Sequence, residues 1–407
     1  MLRTNQKRFR ITALLCIAAL FCAGSITPSR AAQESTATLT PTDTVSSPSF
    51  LSVTMINAHD GWAEAMIQNL DASIMESPFR ILHTHDGGKT WSVAWQLPHS
   101  ALIPNNPNPP SPVFLDDRHA WVYTSAIDNN VLLWRTSDGG QNWLESAYRF
   151  NYTPNTLEFV DPLHGWMLAD NGPAAGSEQV SLYQTSDGGK SWQRLWSQDS
   201  SCCITRITFE SRFEGWMTTS ANSWTGHLFS TRDGGVTWNE VTMPNPPGPI
   251  YTDDTHRQLA NRCTFQGLAV FKPGSLTVEA DCEPANPGSG ESSHSLYLLH
   301  SADDGVSWQV SMPKSPFQFV SIRMITPLFG FDTVLDQNSA TNAQWLMETT
   351  DGGKNWGQVF QLTGDLDQDT PFDFIDQYLG WVVSNNDLLH TTDGGKTWTP
   401  LKAKIMS

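Results

Sequence analysis

The residues best placed to do chemistry are seven aspartates that recur along the chain in the same setting. In each copy a Ser or Thr lies two residues before the Asp, a Gly two residues after it and a Trp five residues after it. The seven are Asp86, Asp138, Asp187, Asp233, Asp303, Asp351 and Asp393. An Asp in such a turn accepts backbone N–H groups, and a carboxylate occupied in this way is a poor base or metal ligand. We therefore interpret these residues as structural.

Two smaller groups have the composition of metal ligands. Asp365, Asp367 and Asp369 alternate in GDLDQD like the first ligands of a calcium loop, but the turn Gly and distal Glu of an EF-hand are missing. We interpret this segment as a solvated acidic loop, with calcium as the alternative. His83 and His85 would point to one side of a strand, but histidines at strand ends are ordinary. No cofactor is expected.

Four of the six cysteines follow residue 31, namely Cys202, Cys203, Cys263 and Cys282. In an exported protein disulfides are the default, and four cysteines allow three pairings. We favour a bond between Cys263 and Cys282, which would tie a long insertion to its own repeat. Cys202 and Cys203 would then form a vicinal bridge or remain free thiols. A four-cysteine zinc site is disfavoured because the C-x-x-C spacing is absent.

The segment from the Ser or Thr to the Trp, which we call the box, lies in a longer repeated unit. Most copies carry an upstream Gly-Trp pair after a polar turn, as in FVDPLHGW ending at Trp166. Phe331 takes the Trp position in the sixth copy and Val278 in the degenerate fifth. Each unit predicts strands A to D with the box between C and D. The fold class predicted is all-β, a seven-bladed β-propeller of four-stranded antiparallel blades over residues 50–402. How the ring closes is not evident.

Because neighbouring strands alternate in direction, A–B and C–D turns share one face of the disc and B–C and D–A loops the other. The first, the boxed face, repeats the same turns and is interpreted as scaffold. The second, the variable face, carries loops of differing length, including an insertion from Pro244 to about Thr264. We predict that a protein partner binds there, because aromatic side chains and Arg are typical of interface hot spots. The candidate contact residues are Tyr251, His256, Arg257 and Arg262.

The beginning of the chain predicts export. A basic segment, MLRTNQKRFR, precedes an apolar segment, ITALLCIAALFCAGSI, that is too short for a comfortable membrane span. We predict a signal peptide over residues 1–31, a Ser/Thr/Pro-rich tether over 32–49, and a secreted or cell-envelope location, with membrane contact only through export or envelope association. The formal net charge of −17 argues against nucleic acid as a partner.

The box is similar to the Asp-box, or bacterial neuraminidase repeat, of sialidases, sortilin-type receptors and related propellers. Its combination with an upstream Gly-Trp turn, as in FIDQYLGW followed by TTDGGKTW, most resembles the photosystem II stability and assembly factor family. That resemblance implies an exported, non-enzymatic propeller that binds partner proteins during assembly. The arginine-rich surface of the photosynthetic members is not recognisable here, so the identity of the partner stays open.

A glycan-binding protein or a sialidase-like glycoside hydrolase is the alternative function. The segment Phe79-Arg80-Ile81-Leu82 is similar to the FRIP motif that precedes the first box in sialidases. Arg80, however, fills an ordinary strand C position, where other repeats have VLLW, VSLY or GHLF. The arginine cluster, acid/base Asp and Tyr–Glu pair of a sialidase cannot be assigned. No catalytic residue is therefore predicted.

Overall fold

The structure is a computed structural model. It describes residues 25–26, 33–34, 48–67, 79–98, 110–125, 130–150, 153–170, 178–200, 202–221, 226–244, 251–252, 258–259, 263–272, 274–282, 295–312, 318–319, 322–335, 344–362, 371–384 and 387–406. The regular structure of these residues is β-strand throughout. In this part of the chain no helix has the length and apolar character needed to cross a membrane.

The first blades follow two short N-terminal strands, β1 (Ser25–Ile26) and β2 (Gln33–Glu34). Blade 1 contains β3 (Ser49–Met55), β4 (Gly61–Met66), β5 (Phe79–Thr84) and β6 (Thr90–Gln96). Blade 2 contains β7 (Ser111–Phe114), β8 (Ala120–Ser125), β9 (Asn130–Thr136) and β10 (Leu144–Arg149). Blade 3 contains β11 (Thr153–Phe159), β12 (Gly165–Asp170), β13 (Glu178–Thr185) and β14 (Trp192–Ser200).

The remaining blades follow the same order. Blade 4 contains β15 (Cys202–Phe209), β16 (Gly215–Ala221), β17 (Gly226–Thr231) and β18 (Asn239–Val241). A hairpin of β19 (Tyr251–Thr252) and β20 (Gln258–Leu259) comes next. Blade 5 contains β21 (Cys263–Lys272), β22 (Ser275–Cys282), β23 (Ser295–Ser301) and β24 (Gln309–Ser311). Blade 6 contains β25 (Gln318–Phe319), β26 (Arg323–Met324), β27 (Gly330–Leu335), β28 (Gln344–Thr349) and β29 (Gly357–Leu362). Blade 7 contains β30 (Phe372–Phe374), β31 (Gly380–Ser384), β32 (Asp387–Thr391) and β33 (Thr399–Pro400), and β34 (Lys404–Met406) follows it.

Each blade is an antiparallel sheet whose strands pair in chain order, with the box between the third and fourth main strands. The predicted all-β, seven-bladed propeller is therefore confirmed. First strands of neighbouring blades contact one another, as in β11 with β15 and β3 with β30, so the first strand of each blade lies innermost in the ring.

The hydrophobic core lies between neighbouring blades. Trp121 of blade 2 and Phe159 of blade 3 belong to one buried cluster, and their ring centroids are 3.6 Å apart. The Gly of the Gly-Trp pair makes this stack possible, because a Cβ on Gly165 would lie 2.6 Å from the Phe159 ring. The stack recurs between blades 3 and 4 and between blades 6 and 7. The Gly-Trp signature is thus a packing device.

The ring closes between blade 7 and blade 1. Trp381 Nε1 of blade 7 donates to Gly87 O of blade 1 over 3.0 Å. Trp381 also belongs to a buried cluster that contains residues of both blades, among them Trp91 of blade 1 and Leu388 of blade 7. The last strand, β34, then pairs in parallel with β6 on the outer edge of blade 1. The chain that follows blade 7 therefore fastens onto the first blade.

The two N-terminal strands pair with outer strands of other blades. β1 pairs with β14 of blade 3, and β2 pairs with β10 of blade 2, both antiparallel. β1 lies in the predicted signal peptide and β2 in the predicted tether. Cleavage and export stay predictions.

The expectation that Val278 takes the Trp position of blade 5 is wrong. Thr277 pairs with His300, directly before the box, as Trp216 pairs with Ser230 in blade 4. Only two residues join β21 to β22, and no Gly-Trp pair marks the start of β22. The sequence therefore places this position one residue too late.

Candidate functional site

The box aspartates are acceptors at the centre of each C–D turn. Thr185 Oγ1 donates to Asp187 Oδ1 over 2.8 Å, and the Ser191 N–H donates to the same oxygen over 2.9 Å. The Ser191 hydroxyl donates to Asp187 Oδ2 over 2.6 Å. The corresponding three bonds form in the other six boxes. Both carboxylate oxygens are thus occupied within the turn.

These bonds also lower the pKa of the box carboxyls. Hydrogen bonds from the Thr397 hydroxyl and backbone N–H lower the pKa of Asp393 to about 2. The pKa of each other box Asp is lowered in the same direction. A carboxylate with so low a pKa is a weak general base near neutral pH, so the boxes are unsuited to proton transfer.

Each box is joined to the A–B turn of its own blade. Gly188 N donates to Leu163 O over 2.9 Å, and the residue directly after the Asp makes the corresponding bond in all seven blades. In blade 5 that residue is Asp304, which has a φ of 58° where the other boxes have Gly. The two turns of the boxed face therefore form one unit in every blade.

The boxes also fasten neighbouring blades. Trp121 Nε1 donates to Gly188 O over 3.0 Å, and Trp166 Nε1 donates to Gly234 O over 2.9 Å. In each case the indole belongs to one blade and the carbonyl to the box of the next. The most repeated polar groups of the chain are consequently used in holding the ring together.

Two half-buried carboxyls, Glu158 on the first strand of blade 3 and Glu279 on the second strand of blade 5, are the groups best suited to acid–base chemistry. Glu158 Oε1 of blade 3 accepts bonds from Thr208 Oγ1 at 2.8 Å and Phe209 N at 3.0 Å, both in blade 4. Burial raises the pKa of Glu158 to about 7, against those two hydrogen bonds and the charge of Arg206. Burial likewise raises the pKa of Glu279 of blade 5 to about 7, and Arg206 again opposes it. Arg206 of blade 4 thus lies near two carboxyls whose pKa values are raised by desolvation.

Comparison with Asp373 of blade 7 indicates that Glu158 is structural. Its Oδ2 accepts Met55 N of blade 1 over 2.5 Å, and its Oδ1 lies 2.6 Å from Arg323 Nη2 of blade 6. Asp373 pairs with Trp381 as Glu158 pairs with Trp166, so the two acids hold equivalent positions. Each accepts an inner-edge N–H of the next blade.

Glu279 has no such structural role. Among the described residues it has no hydrogen-bond partner. Its carboxyl lies where a Cβ on Gly267 would be, so the glycine leaves it room beside the inner strand. Sequence reasoning missed these acids because no repeat or motif marks them.

The histidines of blade 1 lie together as predicted but do not form a metal site. The rings of His83 and His85 have centroids 4.4 Å apart. His83 is 2% exposed and stacks on Trp62, and burial lowers its pKa to about 4. His85 Nδ1 lies 2.7 Å from Asp60 Oδ1. Within the described residues, no group of three His, Cys, Asp or Glu side chains could hold a metal ion.

Arg80 is part of strand C of blade 1. It lies within β5, is 8% exposed, and its Nη1 donates to Phe79 O over 3.0 Å. The FRIP-like segment is thus ordinary blade structure.

Most of the predicted partner site lies outside the described residues. Tyr251 is in β19, which pairs with β20, but its side chain is outside the description. His256, Arg257 and Arg262 are outside it entirely, as are Asp365, Asp367 and Asp369 of the weak calcium candidate.

Cys263 and Cys282 form a disulfide bond, the pairing that the sequence favoured, with their Cα atoms 4.0 Å apart. They face each other at the start of β21 and the end of β22. The bond therefore fixes the point where the insertion enters blade 5. Cys202 and Cys203 pair through their backbones with Ala221 and Ser220, and their side chains lie outside the description.

Comparison with known families bears out the resemblance inferred from the sequence. A family model described as the photosynthesis system II assembly factor YCF48 matches residues 338–405. This segment contains the last two strands of blade 6, β28 and β29, and the whole of blade 7. No curated protein sequence matches the chain.

Solved structures share the fold at low sequence identity. YCF48 bound to a D1 peptide is 17% identical, with a TM-score of 0.46, over 85% of this chain and 94% of that one. A GH74 xyloglucanase from Xanthomonas campestris is 12% identical, with a TM-score of 0.52, over 88% of this chain and 54% of that one. A PL25 ulvan lyase is 10% identical, with a TM-score of 0.48, over 88% and 95%. The likeness to the xyloglucanase, at 12% identity, shows the fold alone, and a fold does not determine a function.

Proposed function

We propose that this chain is an exported, non-enzymatic propeller that binds a protein partner and acts as an assembly scaffold through its variable face. The observation that carries the proposal is that the polar groups of the blades form hydrogen bonds that hold the frame together. The seven box carboxylates accept turn hydrogen bonds, and Glu158 and Asp373 accept N–H groups of the next blade. A frame built in this way supports loops that can vary without loss of the fold.

The family match supports protein binding as the class of function, because the matching model describes an assembly factor. The match covers residues 338–405, so the proposal for the remaining blades rests on their repeating the same unit. The identity of the partner is left open.

The disulfide supports the location of the site. It anchors the chain where the insertion of residues 244–264 enters blade 5, and β19 and β20 form a hairpin within that insertion. A loop held at its base loses less conformational entropy on binding than a free one. The predicted contact residues Tyr251, His256, Arg257 and Arg262 all lie in this insertion.

Crosslinking the intact exported protein in its native compartment would identify the partner. The partner's affinity would then be measured for the chain lacking residues 245–261, whose unfolding must match that of the full chain. We expect the deletion to weaken binding at least about tenfold. Unchanged affinity in a folded deletion variant would remove the insertion as the site.

A glycan hydrolase or glycan-binding protein is the second candidate, and Glu279 beside Arg206 is the observation that favours it. A desolvated acid near an arginine is a common feature of active sites. Hydrolysis of a fluorogenic sialoside, or binding on a glycan array, would be compared between the native chain and Glu279→Gln. If the native chain hydrolyses the sialoside and this variant does not, the scaffold proposal would be replaced by that of a glycan hydrolase.

A further inference from the structure

The outer edges of the seven blades are covered unequally. The fourth main strand of a blade lies outermost, and its free edge can pair with a further strand. In blades 1, 2 and 3 it does so, because β34 pairs with β6, β2 with β10 and β1 with β14. Among the described residues, no strand pairs with the outer edges of β18, β24, β29 and β33 in blades 4 to 7. We call the outer edge of β29 the blade 6 edge.

The blade 6 edge differs from the other three open edges. β18 and β24 have three residues each and β33 has two, and each of them contains a Pro or is followed by one within three residues. β29 has six residues, GQVFQL, with no Pro and no charged side chain. Short strands, Pro and charges are common means by which proteins prevent a free edge from pairing. The blade 6 edge lacks all three and is therefore open to a further strand.

A groove lies beside the start of the blade 6 edge. It has a volume of about 440 Å³ and is lined by Glu348, Trp356, Gly357, Val359 and Lys396, among others. Lys396 belongs to the box of blade 7, so the groove lies between blades 6 and 7. A Cβ on Gly357 would meet nothing within 4 Å. The glycine therefore leaves the groove open next to β29.

The covered blades indicate where a further strand would lie. Ile405 pairs with Trp91 and Ile26 pairs with Trp192, while β2 pairs with the two residues that follow the Trp of the box in blade 2. Ile405 packs against the buried cluster that contains Trp91. The Trp of the box is at most 9% exposed in these three blades and is partly exposed in the other four. An added strand with an aliphatic residue opposite Trp356 would cover the exposed part of that indole.

We propose that the blade 6 edge binds an extended segment of a partner protein, which adds a strand to β29. An aliphatic residue of the segment lies opposite Trp356, as Ile405 lies opposite Trp91. The adjoining residue lies opposite Gly357 and points to the other face of the sheet. The inference goes beyond the proposed function because the outer rim is separate from the variable face. It rests on that function only in that the occupant is a protein.

Charge complementarity indicates which side chain fits opposite Gly357. Glu348 pairs with Gly357, so the Glu348 side chain lies on the same face of the sheet. Burial raises the pKa of Glu348, and the charge of Lys396 opposes that rise, so these two groups interact. A carboxylate beside an ammonium group is matched by an uncharged side chain that both donates and accepts, such as that of Ser, Thr, Asn or Gln. The segment thus carries an aliphatic residue next to an uncharged polar one.

The first test places the photo-crosslinking amino acid p-benzoylphenylalanine at Gln358 of the full chain, expressed in its native compartment. Gln358 is exposed in β29 and lies seven residues after the Asp of its box. Glu240 has the same position in the short β18, is also exposed, and gives the matched control. We expect crosslinks from 358 and few from 240, to a segment in which an aliphatic residue adjoins an uncharged polar one. Equal yields, a segment without this pair, or crosslinks to a second copy of this chain would overturn the proposal.

The second test fills the groove while keeping the probe at position 358. Gly357→Phe places a ring in space that is open in the native chain, and Gly357→Ala is the matched control that leaves most of this space free. Both variants should unfold like the native chain, and the Phe variant should lower the crosslinking yield at least about tenfold. An unchanged yield from a folded Phe variant would overturn the proposal.

Hydrogen exchange of the native chain tests the backbone pairing without a substitution. The probe is a synthetic peptide with the sequence of the segment crosslinked to position 358. At saturation it should slow the exchange of the β29 amides and leave that of the β18 amides unchanged, because only β29 gains a strand. Equal exchange of β29 with and without the peptide would reject strand addition.

A further probe at Tyr251 separates this proposal from the proposed function. Protein crosslinks from 251 with none from 358 would reject the blade 6 edge and retain protein binding at the insertion. Crosslinks from 358 with none from 251 would support the blade 6 edge and reject the insertion. No protein crosslinks from either position would reject both.

Discussion

The indole of Trp121 in blade 2 stacks on the ring of Phe159 in blade 3, with ring centroids 3.6 Å apart and planes 6° from parallel. Trp121 also donates its N–H to the box of blade 3. One side chain thus supplies both an apolar and a polar contact between blades. Since such contacts recur around the ring, stability is expected to depend on the interfaces between blades.

The glycine beneath Phe159 gives the first prediction. Gly165→Ala should destabilise the fold by about 1–3 kcal/mol, because the new methyl group would displace Phe159 from Trp121. Gly357→Ala is the matched control, since its Cβ would meet nothing within 4 Å. Urea unfolding of both variants measures the difference. Equal stability of the two would refute the packing role of the Gly-Trp pair.

The box carboxylates give the second prediction. Asp187→Ala should cost about 1–3 kcal/mol, because Thr185, Lys190 and Ser191 lose their acceptor. Partner binding measured below the lowered melting temperature should be unaffected. Asp187→Asn, which keeps one acceptor oxygen, should fall between the variant and the native chain. A melting temperature that does not change would contradict the structural role of the box.

Ring closure gives the third prediction. Ile405→Asp should destabilise the fold by about 1–3 kcal/mol, because Ile405 packs against the buried cluster shared by blades 1 and 7. Lys404→Asp is the control, since Lys404 is the neighbouring residue and its side chain is exposed. Hydrogen exchange should report faster exchange in β6, the strand with which β34 pairs. If both variants unfold like the native chain, β34 does not contribute to closure.

The propeller fold could be predicted from the sequence. The contacts that join its blades and close the ring could be predicted only in part, and the reason is physical. The box is a local turn whose Asp, Gly and Trp are close in sequence, so its spacing reveals it. The bond from Trp381 to Gly87 joins residues 294 positions apart, and no local pattern reports it. Glu158 and Asp373 share one position, but the other blades place different residue types there. Comparison of the repeats therefore does not reveal these two acids.

The disulfide gives the fourth prediction. Mass spectrometry of the non-reduced protein should show Cys263 linked to Cys282. Replacing both with Ala should cost about 2–4 kcal/mol, because the bond closes a loop with a sequence separation of 19 in the unfolded chain. Reduction of the native chain is the matched condition and should have a similar effect. Free thiols at both positions in protein from its native compartment would contradict the pairing.

The half-buried acids Glu279 and Glu158 give the last prediction, which concerns pH. The folded pKa of Glu279 is raised from 4.5 to about 7, so the folded state binds its proton more tightly than the unfolded state. Stability from this group is fully present below pH 4.5 and is lost as the pH rises through about 7. Glu158 contributes in the same direction, although its two hydrogen bonds also favour the ionised form.

Glu279→Gln isolates this effect because it removes the ionisation and leaves Glu158 in place. We expect the variant to be about 1–3 kcal/mol more stable than the native chain at pH 8, with a smaller difference at pH 5. Asp393 serves as a control for acid effects, since its pKa is lowered to about 2 and its contribution is lost only as the pH falls toward that value. Urea unfolding at a series of pH values measures the slopes. A variant whose stability has the same pH dependence as that of the native chain between pH 5 and pH 8 would show that Glu279 is not desolvated in the folded ring.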